Sequence, residues 1–177
     1  STQGVSSAAS DVYKRQVMWS IQNTGDKEMH FQIGAHPAFY YRDLDLATHK
    51  RGYLDFGKKH TDLEYISPAE KGCVSGKRHI LHTENGIMEL TSDTFMCDTY
   101  MFDNSQLQKI TLMDKEQKPY ISLEFSSPLV AVWSPSAVHP DVPFVCIEPW
   151  YGRCDKVGYQ GEFKNREWMQ HLSLIHI

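Results

Sequence analysis

The sequence predicts an all-β sandwich, and two observations carry this prediction. Short runs of strand-type residues recur along the chain, and Asn, Gly, Pro and Asp residues separate them. Only residues 162–171 have a weak helical or irregular character. The 177 residues suffice for one domain with a buried core, and no repeat, low-complexity tract or linker divides them.

The predicted strands follow one another with turn signals between them. The first, residues 17–22, ends at Asn23-Thr24-Gly25, and the second covers residues 28–36. The polar residues 40–51 predict a loop. Glu84-Asn85-Gly86 is a hairpin signal between two further strands. The strands from that hairpin onward are residues 77–81, 86–90, 94–102, 107–113, 120–125, 129–133 and 144–148.

Composition narrows the function classes. A hydrophobic content of 41% and a charged content of 23% are ordinary for a globular domain. The formal charge of −4 gives no basis for binding nucleic acid or an anionic membrane, and no apolar run approaches the roughly 20 residues that span a bilayer. The four cysteines form no C-x-x-C pair and no dense framework, which favours reduced thiols in a cytoplasmic protein. The sequence does not indicate an oligomeric state.

Both ends of the chain are interpreted as non-native. Residues 6–16 read SSAASDVYKRQ, the in-frame translation of a transposon-type sequencing adapter. Residues 172–177 read LSLIHI, the translation of the reverse complement of the inner end of that adapter. We therefore expect a non-native, disordered segment at residues 1–16, one β-sandwich domain at 17–171 and a non-native tail at 172–177, which includes His176.

The first candidate site residue is His36, in the segment IGAHPAF at residues 33–39. Side chains alternate between the two faces of a strand. One face is apolar and is expected to pack into the core, with Phe31, Ile33 and Ala35. The other face is polar and is expected to line a cleft, with His30, Gln32, Gly34 and His36. Gly34 would leave room for a ligand, and His36 could serve as an acid or base, although a structural histidine on a half-exposed strand fits the same pattern.

The second candidate is Glu148, in the segment FVCIEPWYG at residues 144–152. An apolar run predicts a buried strand, and a carboxylate at its end is unfavourable unless it is paired, hydrogen-bonded or next to a solvated site. Trp150 could offer a flat face to a sugar ring. A salt-bridged structural Glu148 beside a core Trp150 is the alternative.

Together, these two segments resemble the aldose 1-epimerase superfamily. The residues that carry the resemblance are GAHPAF at 34–39 and FVCIEPWYGRCD at 144–155, and the LacX-like branch is the most similar. The resemblance covers most of residues 17–171. It implies an antiparallel β-supersandwich, incomplete in this chain, and interconversion of the α and β anomers of a free aldose without a metal or redox cofactor.

The resemblance also implies roles for individual residues. His36 matches the general acid that protonates the ring oxygen, and Glu148 matches the general base that takes the proton of the anomeric hydroxyl. Asp98 resembles the substrate-binding Asp; Asp103 competes with it for that role, and Asp98 could instead only form a turn. Trp150 is either a stacking residue for the sugar or a core residue.

One departure from the family qualifies the prediction. The family has an earlier His and Arg in a segment resembling H-G-F-x-R, which is absent between residues 17 and 171. We expect a preceding segment of a longer protein to carry it, and this fragment to turn over sugar poorly. A sugar-binding or sensing protein without turnover, and a hexose-6-phosphate epimerase, are the alternatives, although Arg51 and Arg153 alone are too few to hold a phosphate. No metal site is expected, because His79 and His82 would lie on opposite faces of a strand.

Overall fold

The computed structural model describes residues 4–10 and 14–174. Within them it contains fifteen β-strands and three short 3-10 helices, and no helix is long and apolar enough to span a membrane. The strands are β1 (Gly4–Ser10), β2 (Arg15–Ile21), β3 (Met29–Phe31), β4 (Ile33–Gly34), β5 (Ala38–Tyr40), β6 (Lys50–Asp55), β7 (Asp62–Tyr65), β8 (His79–His82), β9 (Ile87–Thr91), β10 (Tyr100–Phe102), β11 (Lys109–Met113), β12 (Pro119–Glu124), β13 (Leu129–Trp133), β14 (Phe144–Tyr151) and β15 (Gln170–Leu172). The 3-10 helices are Glu70–Gly72, Pro135–Ala137 and Phe163–Asn165. These strands pair antiparallel, so the predicted all-β fold class is confirmed.

Two larger sheets enclose the main hydrophobic core. One has the strand order β10-β13-β14-β4, with β5 also paired to β14, and the other has the order β12-β11-β6-β9. The first sheet gives the core side chains at alternate positions, namely Val130, Val132, Val145 and Ile147. The second gives Leu54, Leu90, Ile110 and Leu112. Each such aliphatic side chain stabilises the fold by about 1.5–3 kcal/mol through burial. The alternation turns the neighbouring residues of β14, including Glu148, to the opposite face of the sheet.

The predicted strand at residues 28–36 is divided at Gln32. β3 pairs with β15, whereas β4 pairs with β14, so the chain passes from one sheet to another between them. Gln32 still lines the cleft described below, and its side chain donates to the backbone carbonyl of Glu167. The expectation of one strand was wrong because alternation alone does not reveal a change of partner.

The predicted hairpin at Glu84-Asn85-Gly86 is half right. The turn forms, with Ile87 N donating to Glu84 O at 3.0 Å and with φ of 54° at Asn85 and 76° at Gly86. The flanking strands do not pair with each other, since β8 pairs with β7 and β9 pairs with β6. Local residues thus set the turn, while more distant strands supply the partners.

Other boundaries also differ from the prediction. Residues 4–10 form a strand paired with β2, and the expected division of the chain at residues 16 and 171 stays a prediction. The adapter origin of residues 1–16 and 172–177 stays a prediction. Residues 1–3, 11–13 and 175–177 lie outside the described residues, His176 among them. Residues 92–97 form turns, although a strand was predicted at residues 94–102, and β6 and β7 were not predicted. All four cysteines are free, as expected.

Candidate functional site

His36 and Glu148 lie opposite each other on adjacent antiparallel segments. β4 pairs Gly34 with Trp150, and β5 pairs Ala38 with Cys146. In an antiparallel pairing of constant register, the two residue numbers of every pair have the same sum, which is 184 for both of these pairs. Residue 36 therefore lies opposite residue 148. The local sequence indicates each of the two residues separately, and the fold brings them together.

Two prolines shape the backbone around this pair. Ala35 N donates to Pro149 O at 3.0 Å, and Ile147 N donates to Pro37 O at 3.3 Å. Proline has no N–H. The residue pairs Ala35–Pro149 and Pro37–Ile147 therefore each form one of the two hydrogen bonds that a regular hydrogen-bonded pair of an antiparallel sheet exchanges. His36 and Glu148 therefore occupy the intervening non-hydrogen-bonded position, where opposite side chains come closest. The pairing continues beyond Pro37, because β5 also pairs with β14.

Glu148 is the buried member of the pair. It is 2% exposed, and its Oε1 lies 3.3 Å from His36 Nε2. Its other oxygen, Oε2, is buried without a hydrogen-bond partner among the described residues. Burial raises the pKa of Glu148 to about 7, because the charged carboxylate loses hydration. A carboxylate with this pKa can both take and return a proton near neutral pH.

His36 is the solvent-facing member. Its side chain is 62% exposed, and the ring meets Trp133 edge to face with centroids 5.9 Å apart. The buried Cys146 thiol lies close enough to His36 and Glu148 for the three to resemble a metal-binding cluster. Burial raises the pKa of Cys146 to about 12, however, so the thiolate that a metal requires is disfavoured. The arrangement suits proton transfer better than metal binding.

Trp150 forms one wall of a cleft of about 330 Å³ that also contains His36 and Glu148. Its Nε1 donates to Ala35 O at 3.1 Å, and the indole packs on the minor hydrophobic cluster of Ile66, Val74, Met101 and Ala131. A Cβ at Gly34 would overlap Trp150 Cδ1. Gly34 thus makes room for the indole; it also lines the cleft, and its role in admitting a ligand stays a prediction. Trp150 has a packing role, and a stacking role remains a prediction.

The structure does not bring Asp98 to this cleft. Asp98 is an exposed turn residue with φ of 69°, and its Oδ1 accepts a hydrogen bond from Thr99. Its substrate-binding role stays an untested prediction, and the turn-forming alternative describes its present contacts. The competing candidate, Asp103, is 1% exposed and accepts two hydrogen bonds of 2.8 Å from Arg78.

Asp103 and Arg78 line a second cavity, of about 420 Å³. Arg153 lines both this cavity and the cleft, so the two adjoin. Arg153 is 6% exposed and pairs with Glu167, and Lys156 pairs with the same carboxylate. The cations around the second cavity are therefore already engaged by carboxylates.

Sequence reasoning missed three neighbours of the pair. Cys146 stands two residues before Glu148, so strand periodicity could have placed it on the same face. Arg153 was considered only as a phosphate ligand, although it lies next to the cleft. Trp133 is separated from His36 by almost a hundred residues, and only the sheet register joins them.

Comparison with known proteins identifies the fold. No protein-family model and no curated protein matched the chain. A galactose mutarotase related enzyme from Lactobacillus acidophilus matches with a TM-score of 0.80 at 22% identity over 97% of this chain. A galactose mutarotase-like protein from Lactobacillus casei matches with a TM-score of 0.81 at 23% identity over 95%. The chain has the galactose mutarotase-like fold. It spans 57% of the length of each of those two chains, and the mutarotase-like fold confirms the supersandwich that the resemblance implied.

Proposed function

We propose that His36 and Glu148 are the acid and base of an aldose 1-epimerase-type isomerase that acts on a free aldose in carbohydrate metabolism. The observation that carries the proposal is their 3.3 Å contact, in which burial raises the pKa of the carboxyl partner to about 7. The mutarotase-like fold supports it, since the two solved structures are described as mutarotase-related.

Anomer exchange needs two proton transfers, one at each of the two oxygens bonded to C1. The Glu148 carboxylate takes the proton of the anomeric hydroxyl, the C1=O1 double bond forms and the bond from C1 to the ring oxygen breaks. A protonated His36 gives its proton to the ring oxygen. The open aldehyde rotates about C1–C2 and closes with the two roles reversed. Both oxygens are bonded to the same carbon, so groups 3.3 Å apart can each reach one of them.

The contacts of the basic residues favour a neutral sugar over a sugar phosphate. Arg78 pairs with Asp103, and Arg153 and Lys156 share Glu167. Arg51 donates to the backbone carbonyls of Thr48 and Pro140 and is 2% exposed. A phosphate would have to displace existing carboxylate partners, so the hexose-6-phosphate alternative is disfavoured.

The test separates turnover from binding. Anomer exchange of glucose and galactose would be followed by NMR with a protein extended to the length of the two mutarotase-like structures, since this chain spans 57% of them. Exchange well above the buffer rate is expected. Sugar binding with exchange at the buffer rate would reject the isomerase and leave a sugar-binding or sensing protein. The cytoplasmic location stays a prediction.

A further inference from the structure

A second cluster of chemically active side chains lies away from the cleft, where β3 and β15 pair. His30 and His171 are direct cross-strand partners in this pairing. Glu28 precedes His30 by two residues, which is the spacing that puts two side chains on one face of an extended segment. Residues from two segments thus present two imidazoles and one carboxylate on a common surface.

The distances within this cluster are short. Glu28 Oε2 lies 3.5 Å from His30 Nε2, and Glu28 Oε1 lies 3.8 Å from His171 Nδ1. The two imidazole rings meet edge to face, with centroids 4.7 Å apart. One ligand atom from each of the three residues lies within 4.8 Å of the others. In a tetrahedral zinc site with bonds near 2.0–2.2 Å, ligand atoms are about 3.3–3.6 Å apart, so small side-chain rotations would close the cluster around an ion.

The exposure of the three residues also suits an ion that arrives from solvent. The side chain of His30 is 20% exposed, whereas those of Glu28 and His171 are 53% and 49% exposed. Exposed pairs of this kind contribute little to stability by themselves. Two imidazoles with one carboxylate form a ligand set that borderline divalent metals such as Zn²⁺ favour.

We propose that Glu28, His30 and His171 bind one Zn²⁺ ion, with a fourth position open to water. The ion would link β15 to β3 across a ladder of three residue pairs. All three ligands lie within residues 17–171, the range that the sequence analysis interprets as native. The sequence predicted no metal site, because His79 and His82 lie on opposite faces of one strand, whereas this cluster joins residues more than 140 positions apart.

Tag-free 177-residue chain would be titrated with ZnCl₂ by isothermal calorimetry, and thermal unfolding would be followed at the same zinc concentrations. One ion per chain and a raised Tm are expected. His30→Gln, His171→Gln and Glu28→Gln should each weaken binding at least about 10-fold, the loss that even an outer-shell partner causes. Glu28 is half exposed, so Glu28→Gln provides a variant with little effect on folding if a histidine variant fails to fold.

Two control variants make the test specific. His82→Gln removes an exposed histidine that pairs with Asp62, at 2.6 Å, and it should leave zinc binding unchanged. His36→Gln should also leave it unchanged, because His36 belongs to the cleft. Absence of zinc binding at millimolar ZnCl₂, full binding in His30→Gln and His171→Gln, or loss of binding in His36→Gln would each overturn the proposal.

Discussion

Glu148 and His36 differ sharply in exposure although their side chains touch: Oε1 and Nε2 lie 3.3 Å apart, with the carboxyl side chain 3% and the imidazole 62% exposed. The buried partner has lost hydration, which raises the pKa of its carboxyl group to about 7. The exposed partner can exchange protons with solvent. Because of this asymmetry, the pair combines a base whose pKa is raised by burial with an acid that can take up a proton from solvent.

Removal of either group from the extended protein should lower the rate of anomer exchange. We expect Glu148→Gln and His36→Asn each to reduce kcat by about 10²-fold or more, because each removes one proton transfer. NMR exchange measurements with glucose and galactose would provide the rates. Glu124→Gln is a matched control, since Glu124 is an exposed strand residue paired with Lys109. A near-wild-type rate in either cleft variant would reject the role assigned to that residue.

The raised pKa of Glu148 also predicts how stability changes with pH. Between about pH 4.5 and 7 the folded state holds a proton on Glu148 that the unfolded state has released. The contribution of this group therefore makes the free energy of unfolding fall as pH rises through this window, by about 3 kcal/mol at most.

Urea unfolding of the 177-residue chain across this pH window would measure the effect. Glu148→Gln cannot ionise, so it should be more stable relative to wild type at pH 8 than at pH 4, while Glu124→Gln should follow wild type. Parallel stability curves for wild type and Glu148→Gln would contradict the prediction.

The contact between Gly34 and Trp150 predicts a steric effect. Gly34→Ala should destabilise the fold by about 1–3 kcal/mol, because the added methyl group overlaps Trp150 Cδ1 and must displace the indole. The same variant should shift Trp fluorescence. Gly25→Ala is the control, since a Cβ there meets only the side-chain oxygen of Asn23, at 3.3 Å. Equal stabilities of the two variants would show that the indole moves aside without loss.

The pair of Arg78 with Asp103 predicts a larger loss. Asp103 is 1% exposed, so Arg78→Met would leave a buried carboxylate without its cation and should destabilise the chain by about 3 kcal/mol. Lys109→Met removes the cation of the exposed pair with Glu124 and should change stability by less than about 1 kcal/mol.

The double variant Arg78→Met/Asp103→Asn should recover part of the loss, because no buried charge remains unpaired. A double-mutant cycle by urea unfolding would measure the coupling. The absence of coupling would show that the two side chains act independently.

The local sequence predicted the strands with continuous apolar residues, whereas two short strands rich in charged residues were missed. The strand at residues 129–133 was predicted with the bounds of β13, and the strand at 144–148 is the first part of β14. β6 and β7 were missed because their sequences, KRGYLD and DLEY, are short and half of their residues are charged. These strands form because neighbouring strands bury their apolar side chains.

The candidate site was predictable only in part, for a related reason. Glu148 stood out as a carboxylate at the end of an apolar run, and His36 as a histidine two residues after a glycine and directly before a proline. Their contact depends on the register between two distant segments, which no local pattern reveals. The same limit explains the hairpin error at Asn85-Gly86 and the unforeseen pairing of Asp103 with Arg78.

The two prolines beside the cleft also determine what hydrogen–deuterium exchange can reveal about this site. Two backbone amides, those of Ala35 and Ile147, donate the hydrogen bonds described between the segment around His36 and the segment around Glu148. Their partners across the sheet, Pro149 and Pro37, have no N–H and donate none. These two amides are thus the natural reporters of local opening at the pair. A sugar that bridges His36 and Glu148 would slow their exchange, giving a readout of occupancy independent of turnover.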